Sequence, residues 1–440
     1  MKRLFVGTCY ALSLSLVLAA CGSGDDLSEE TGAEGEEAPD SISVAMVAGQ
    51  ESAAMRPIIA EFEEETGIEI EWNEFDYDTL YERIFNDLQS GSGTYDVIFA
   101  DDPWMPMFAG GGYLTPLDEF DYEIDEDFME SSRALTTWPP SEGPRMPDID
   151  PEEEPRHYGI PQVGNVQLLF WRKDILGDEA PETWEDAAAM LEEHEDETDY
   201  GFVPRGARGN AVATNFNAFM WSHNGDFFDD DWNVTVNDSE VHEALNRYTE
   251  LAETGPSGVA NYGADEVGRA MSQGDTLMAI VWPVWAETME NEEESEVVGD
   301  IGYGLVPRSE DGEHAPQIGN WVFAIPEASE NRRAAFDFIE WASSEEIQLQ
   351  MAQNGGLPTR ESVLLNEELN EEMPYLEAVH EGLENAEIRP RTPSYSEVEE
   401  TIGTYLNQVV AGEMSEEDAL ENAASDIEDI MESAGHYDTE

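Results

Sequence analysis

The sequence predicts an α/β fold built on a parallel, doubly wound sheet. Apolar segments at 42–47, 68–72 and 96–101 have the length and composition of strands. Between them, segments 53–66 and 77–88 space their apolar residues as amphipathic helices do. This β-α-β-α-β order is typical of a parallel sheet covered by helices.

The rest of the chain continues the alternation of strands and helices. A length of 440 residues is enough for two lobes, each with its own core. We predict strands at 165–173, 276–282 and 318–325. We predict helices at 183–193, 213–222, 239–254, 265–273, 331–343 and 398–431.

Polar and aromatic side chains follow the first and third predicted strands. In doubly wound sheets, ligands bind beyond the carboxyl ends of the strands. We therefore expect Gln50, Glu51, Asp101, Asp102 and Trp104 to lie near a ligand cleft, and either Gln50 or Glu51 can be the one that points inward. For Asp101, a helix N-cap is the competing interpretation.

Acidic residues dominate the charge. The chain has 100 Asp and Glu against 19 Lys and Arg, a net charge of −81. Phosphate and anionic lipid surfaces would be repelled, so the sequence predicts no nucleic-acid partner and no electrostatic membrane binding. Molar salt would screen the self-repulsion, which favours a protein adapted to a very salty medium. The alternative is an acidic chain with no salt requirement.

The N-terminus predicts export and lipidation. Lys2 and Arg3 precede an apolar segment at 4–20, which is short for a membrane span. It ends in LAAC at 18–21, which resembles the bacterial lipobox, so we predict a signal peptide at 1–20 and a lipid on Cys21. Cys9 is the other of the two cysteines, which leaves no disulfide in the mature chain. The Gly- and acid-rich residues 22–40 read as a disordered tether.

Catalytic and metal motifs are missing from the sequence. It has no Gly-x-Ser-x-Gly, Gly-x-Gly-x-x-Gly, phosphate loop or His-Glu-x-x-His, so we expect no enzyme, cofactor or metal. One near-motif spans 229–240, where oxygen-bearing residues occupy calcium-loop positions, but Val234 replaces the required glycine. Calcium binding there is left open.

Several segments together resemble the extracellular solute-binding proteins of sugar ABC importers, the maltose- and trehalose-binding group. The resemblance extends over 41–431, and the order and spacing of the segments carry it. They are YDVIFADDPW at 95–104, YGIP at 158–161, LLFWRKD at 168–174, PETWE at 181–185, GGLPTR at 355–360 and RPRTP at 389–393.

The resemblance implies a two-lobed periplasmic-binding-protein type II fold that closes by a hinge. It implies an N-terminal lobe at 41–154 plus 316–344 and a C-terminal lobe at 155–315 plus 345–440, with chain crossings near Glu154, Pro316 and Ser344. It also implies stacking aromatics at Trp282 and Trp321. The further site residues that it implies are Trp285, Gly319, Asn320, Asn165 (where relatives often carry Asp), and Arg391 with Arg389 as its alternate.

The function implied is capture of a di- or oligosaccharide outside the cell and delivery to an ABC permease. A monomer held at the outer face of the membrane only through Cys21 is expected. The alternatives are a non-sugar solute such as a polyamine, peptide or glycerophosphodiester, and an exported glycan-active enzyme.

Overall fold

Three sheets carry the fold. The computed structural model describes residues 38–141, 143–147 and 149–437. Within them the strands are β1 (Ser41–Val47), β2 (Glu69–Phe75), β3 (Val97–Asp101), β4 (Thr137–Trp138), β5 (Arg156–His157), β6 (Gly159–Val163), β7 (Leu168–Arg172), β8 (Tyr200–Phe202), β9 (Thr276–Val281), β10 (Ile301–Gly304) and β11 (Trp321–Ala324).

Helices cover the sheets and make up the C-terminal part of the described chain. They are α1 (Gln50–Met55), α2 (Ile59–Thr66), α3 (Tyr77–Ser90), α4 (Met105–Gly110), α5 (Glu130–Leu135), α6 (Lys173–Leu176), α7 (Trp184–Glu193), α8 (Asn210–Ser222), α9 (Ser239–Ala252), α10 (Ala264–Ser272), α11 (Ala286–Met289), α12 (Arg332–Ala342), α13 (Glu345–Gln353), α14 (Glu361–Leu364), α15 (Glu367–Glu372), α16 (Tyr375–Glu384), α17 (Tyr395–Val410) and α18 (Glu416–Ser433).

The first lobe is built on a five-stranded sheet in the order β2-β1-β3-β11-β6. Strands β1, β2 and β3 run parallel, which confirms the predicted β-α-β-α-β unit. Strand β11 runs antiparallel to β3, and its first residue, Trp321, pairs with the last residue of β3, Asp101. The start of β11 and the end of β3 therefore meet at the same edge of the sheet.

The second lobe is built on a four-stranded sheet in the order β10-β7-β9-β8. Strand β7 is antiparallel to β9, and its first residue, Leu168, pairs with Val281 at the end of β9. The segment before β7 and the segment after β9 therefore emerge at one edge. The backbone N–H of Gly319 donates to the carbonyl of Asn165 (2.8 Å), which joins this edge to the start of β11.

Two predicted helices are each broken into two. The predicted helix at 53–66 is α1 and α2, because Pro57 has no N–H to donate and its ring blocks a continuous helix. The predicted helix at 398–431 is α17 and α18, separated by a turn in which Gly412 adopts a φ of 71°. By contrast, α7 begins after Thr183 in a capping box with Asp186, at the start of the predicted helix 183–193.

Two of the predicted chain crossings fall later in the sequence. Strand β6 pairs with β11 in the first sheet, so the chain leaves that lobe after Val163 and not near Glu154. Helix α13 packs against α1, with Asn354 Nδ2 donating to the carbonyl of Ala54 (3.1 Å), so the chain is still in the first lobe beyond Ser344. Gln348 of α13 also donates from Nε2 to the backbone carbonyl of Gln162 in β6 (2.9 Å), which belongs to the first sheet.

The predicted signal peptide, Cys21 and most of the tether lie outside the described residues. Within the described part of the chain, no helix combines the length and the apolar character needed to cross a bilayer.

Candidate functional site

A cavity of about 850 Å³ opens where the edges of the two sheets meet. Its walls come from the loop after β1, the end of β3, the start of α8, the segment after β9 and the start of β11. Eight of the sequence-predicted site residues line it: Gln50, Glu51, Asp101, Asn165, Trp282, Trp285, Gly319 and Trp321.

Aromatic rings form the apolar part of the wall. Trp321 stacks on Phe99 with ring centroids 4.9 Å apart and meets Tyr77 edge-on at 5.9 Å. Trp282 lies directly over Gly319, where an added Cβ would approach its ring to 2.7 Å. Only glycine leaves room for the indole there. These contacts fix the orientation of both tryptophans, which is what a stacking platform for a flat apolar face requires.

Asp101 is the polar residue at the floor of the cavity. The Tyr77 hydroxyl donates to Asp101 Oδ2 (2.7 Å), and the backbone N–H of Asp102 donates to Oδ1 (3.0 Å). Asp101 therefore caps the short 3-10 turn Asp102–Trp104, as the competing N-cap interpretation held, and also faces the cavity. One carboxylate serves both roles because it has about four acceptor positions.

Arg389 binds three carboxylates behind this floor. It is 3% exposed, and its Nη2 lies 2.6 Å from Asp102 Oδ2 and 3.2 Å from Asp101 Oδ1, with Nη1 3.6 Å from Glu399 Oε1. Burial raises the pKa of Asp102 to about 7, although Arg389 opposes the shift. Burial also raises the pKa of Glu399. One guanidinium thus joins the first lobe to α17 of the second.

The opposite wall is polar and belongs to the second lobe. Arg205 and Asn165 are 9% and 6% exposed, and both line the cavity. Arg205 Nη1 donates to the Thr214 hydroxyl (2.9 Å), and its guanidinium lies 6.0 Å from the centroid of the Trp282 ring. Arg205, Thr214 and Tyr77 also line the cavity and were not among the predicted site residues. No motif surrounds Arg205, but it follows β8, which runs parallel to β9 and ends at the same edge of the sheet. Tyr77 follows the end of β2 by two residues.

The sequence left open whether Gln50 or Glu51 points into the cavity. Both residues lie at the start of α1, and both line the cavity. Gln50 Nε2 donates to Glu287 Oε2 of α11 (2.6 Å), so it reaches across to the second lobe. Burial, with a smaller contribution from the charge of Asp101, raises the pKa of Glu51.

Four predicted site residues do not line the cavity. Asp102 is fully buried against Arg389, and Trp104 is packed between Tyr77 and Trp321. Asn320 is fully buried and donates to the Ser132 hydroxyl.

Arg391 is the fourth of these residues. Its Nη2 donates to the carbonyls of Leu135 (2.8 Å) and Thr137 (3.1 Å), so it is held in the protein interior. Of the two arginines in the late Arg-Pro segment, Arg389 is the one that lines the cavity.

The near-motif for calcium is a hydrogen-bonded turn. Asp229 Oδ1 accepts from the backbone N–H groups of Asp231 (2.9 Å) and Asn233 (2.8 Å), and Oδ2 accepts from Asn233 Nδ2 (2.8 Å). These three bonds occupy most of the roughly four acceptor positions of the Asp229 carboxylate. Across the residues the structure describes, no group of three or more His, Cys, Asp or Glu is arranged to hold a metal ion.

A family model for bacterial extracellular solute-binding proteins matches residues 48–349, and the chain belongs to this family. Maltose-bound MalE3 of T. maritima is similar in structure, with a TM-score of 0.79, 26% identity, and coverage of 89% of this chain and 99% of that one. A solute-binding protein of Thermotoga lettingae with bound α-D-tagatose has a TM-score of 0.76 and 25% identity, over 89% of this chain and 100% of that one.

Two curated relatives extend over most of the chain. A probable amino-acid ABC transporter periplasmic-binding protein of Sinorhizobium fredii is 25% identical over 88% of each chain. The mannitol-binding protein of Pseudomonas aeruginosa is 23% identical over 90% of this chain and 94% of its own. The protein is therefore an extracytoplasmic solute-binding protein of the class that serves ABC importers.

Proposed function

We propose that the protein captures a sugar or polyol in the cleft between its lobes and delivers it to the permease of an ABC importer. The observation that carries this proposal is the pairing of oriented indole rings with hydrogen-bonding side chains in one cavity. Trp321 and Trp282 offer flat faces for the C–H surface of a sugar, and Asp101, Asn165 and Arg205 face them with acceptors and donors for hydroxyls.

The similar proteins support the same class of solute. MalE3 of T. maritima holds maltose, and the protein of Thermotoga lettingae holds α-D-tagatose. The volume of about 850 Å³ is in the range of small-molecule sites and has room for more than one sugar ring. The probable amino-acid relative makes an amino acid the second candidate, to be tested beside the sugars.

The proposal also covers how the protein is held and where it works. A lipid on Cys21 would anchor a monomer to the outer face of the membrane, with residues 22–40 as the tether. The net charge of −81 supports a very salty surrounding medium. We expect the protein to bind its solute without converting it, because the sequence contains none of the catalytic motifs named above.

Calorimetry tests the function directly. The chain from residue 21, with Cys21→Ser to keep it in solution, is titrated in molar KCl with maltose, trehalose, maltotriose, glucose, mannitol, spermidine and an amino acid. We expect micromolar or tighter binding of one sugar or polyol, and the same molecule recovered unhydrolysed. Binding of spermidine or the amino acid alone, by a chain shown to be folded, would refute the carbohydrate assignment.

A further inference from the structure

The cavity contains a buried arginine without an acidic partner. Three arginines line the cavity: Arg205, Arg208 and Arg389. Arg389 is paired with three carboxylates, and Arg208, whose side chain is 63% exposed, is paired with Glu400 at 3.0 Å. Arg205 is 9% exposed and forms no ion pair among the described residues. Of the three arginines in the described lining, Arg205 alone has no carboxylate partner.

The hydrogen bonds of Arg205 do not balance its charge. Nη1 donates to the Thr214 hydroxyl at 2.9 Å, and Nη2 makes a long contact with Asn210 Oδ1 at 3.5 Å. Nε is buried and has no partner. Burial lowers the pKa of Arg205 to about 10, so the group is still a cation at neutral pH. Burial of a guanidinium cation with so few hydrogen bonds destabilises the protein, unless a bound solute supplies further acceptor oxygens.

A second unsatisfied group lines the same cavity. Asn165 is 6% exposed, and its Oδ1 is buried without a donor. The cavity therefore presents an unused donor on Arg205 and an unused acceptor on Asn165, both in the lobe that carries Trp282. A hydroxyl-bearing solute can satisfy both, because each hydroxyl is a donor and an acceptor.

The charge of Glu399 does not remove this need. Asn210 Nδ2 donates to Glu399 Oε2 at 3.0 Å, so one amide separates that carboxylate from Arg205. Glu399 Oε1 itself lies 3.6 Å from Arg389 Nη1, so the negative charge of Glu399 is already paired with Arg389.

We propose that Arg205 is a specificity-determining residue of the cleft, which donates to an acceptor oxygen of the solute and excludes cationic solutes. This inference rests on the proposed function. The acceptor is either a hydroxyl of a neutral sugar or polyol or the carboxylate of a sugar acid. Both present an acceptor oxygen to the guanidinium, one from a neutral hydroxyl and two from a charged carboxylate.

Two substitutions of Arg205 separate the hydrogen-bonding geometry of its guanidinium from its positive charge. Arg205→Met removes both and leaves an apolar side chain beside Trp282, and Arg205→Lys keeps the cation but not the guanidinium geometry. Arg247→Met is the control, because Arg247 also belongs to the second lobe but pairs with Glu185 and Glu250 outside the cavity. Each variant is made in the Cys21→Ser chain, and thermal unfolding first shows that it is folded. Calorimetry then measures its affinity for the sugar that the wild type binds, and for spermidine, glucose and glucuronate.

We expect Arg205→Met to weaken sugar binding by on the order of 10- to 100-fold, the effect of losing a hydrogen bond from a charged donor. Arg205→Met should also bind spermidine better relative to the sugar than the wild type does. Arg205→Lys should weaken sugar binding but still reject spermidine, and Arg247→Met should match the wild type.

The two acceptor sources give different patterns. A loss confined to glucuronate identifies a carboxylate, and an equal loss for glucose and glucuronate identifies a hydroxyl. Unchanged sugar affinity and unchanged spermidine rejection in both Arg205 variants would overturn the inference while leaving carbohydrate binding intact. A wild-type chain that binds no sugar would instead remove the proposed function itself.

Discussion

At the scale of single residues, the cleft depends on one guanidinium shared among three carboxylates. Arg389 contacts Asp101, Asp102 and Glu399, so its single charge cannot balance all three. Asp102 is the most deeply buried of them, and burial raises its pKa to about 7. Asp101 is thus held in a buried cluster whose other two carboxylates, Asp102 and Glu399, do not line the cavity.

This arrangement predicts how stability changes with pH. Because the folded pKa of Asp102 is above its ordinary value of 3.8, the folded chain retains a proton that the unfolded chain releases. The contribution of Asp102 to the free energy of unfolding is therefore full below about pH 4 and is lost as the pH rises through about 7. In molar KCl, we expect the wild-type unfolding temperature to fall between pH 5 and pH 8.

Asp102→Asn should reduce the fall in unfolding temperature between pH 5 and pH 8 by about 2 °C or more, because the amide cannot ionise. Thermal unfolding followed by circular dichroism measures the slope. The matched control is Asp230→Asn, which removes an exposed carboxylate and should keep the wild-type slope. Identical slopes in wild type and Asp102→Asn would contradict the account of the buried cluster.

The structure places some of the predicted site residues beside the cavity and others away from it. Asp101 ends a predicted strand, so the rule that ligands lie beyond the carboxyl ends of strands points to it, and the first residue of β11, Trp321, pairs with it. Tyr77 follows the end of β2 by two residues, so the same rule could have pointed to it. Arg205 could not be found this way, because β8, which precedes it, was not among the predicted strands. Arg391 does not line the cavity because its guanidinium is held by backbone carbonyls, and spacing along the sequence does not reveal such contacts.

At the scale of secondary-structure elements, α1 and α11 are joined across the cleft. Gln50 Nε2 of α1 donates to Glu287 Oε2 of α11 at 2.6 Å. The first helix belongs to the first lobe and the second follows β9 of the second lobe, so this bond spans the two lobes, and we expect it to help hold them together around a solute.

Gln50→Ala should speed dissociation of the bound solute by about 2- to 10-fold, the usual effect of losing one hydrogen bond of this kind. Stopped-flow tryptophan fluorescence measures the rate. Gln350→Ala is the control, since Gln350 donates to Glu61 in the same way (3.3 Å) on the outside of the first lobe. Equal dissociation rates for the Gln50 variant and the control would show that the bond does not help to hold the lobes closed.

Element boundaries were predicted with mixed success. Thr183 begins α7 through its own capping box, where the predicted helix starts, whereas the break at Pro57 was missed although it is local chemistry. The assignment of β6 to the first sheet depends on its pairing with β11, more than 150 residues later in the chain. No local sequence pattern predicts the pairing of β6 with β11.

At the scale of the whole molecule, the net charge of −81 predicts that the stability of the fold depends on salt. Raising the KCl concentration from 0.1 M to 1 M shortens the screening length from about 10 Å to about 3 Å. We expect the unfolding temperature to rise by several degrees over this range, because repulsion between surface carboxylates weakens. Sucrose at matched osmolality, which does not screen charge, should give a smaller rise. An unfolding temperature that does not respond to KCl would remove the salt-adaptation proposal.

The most direct test of carbohydrate capture is a calorimetric titration of the wild type and Trp321→Ala with the sugar or polyol that binds. Trp321 is fixed by Phe99 and Tyr77, so its loss removes a preformed stacking face without removing a polar contact from the cavity. We expect Trp321→Ala to bind the sugar more weakly by about 1–3 kcal/mol, or up to about 150-fold. An unchanged dissociation constant in a folded variant would show that the solute is bound somewhere other than on this indole.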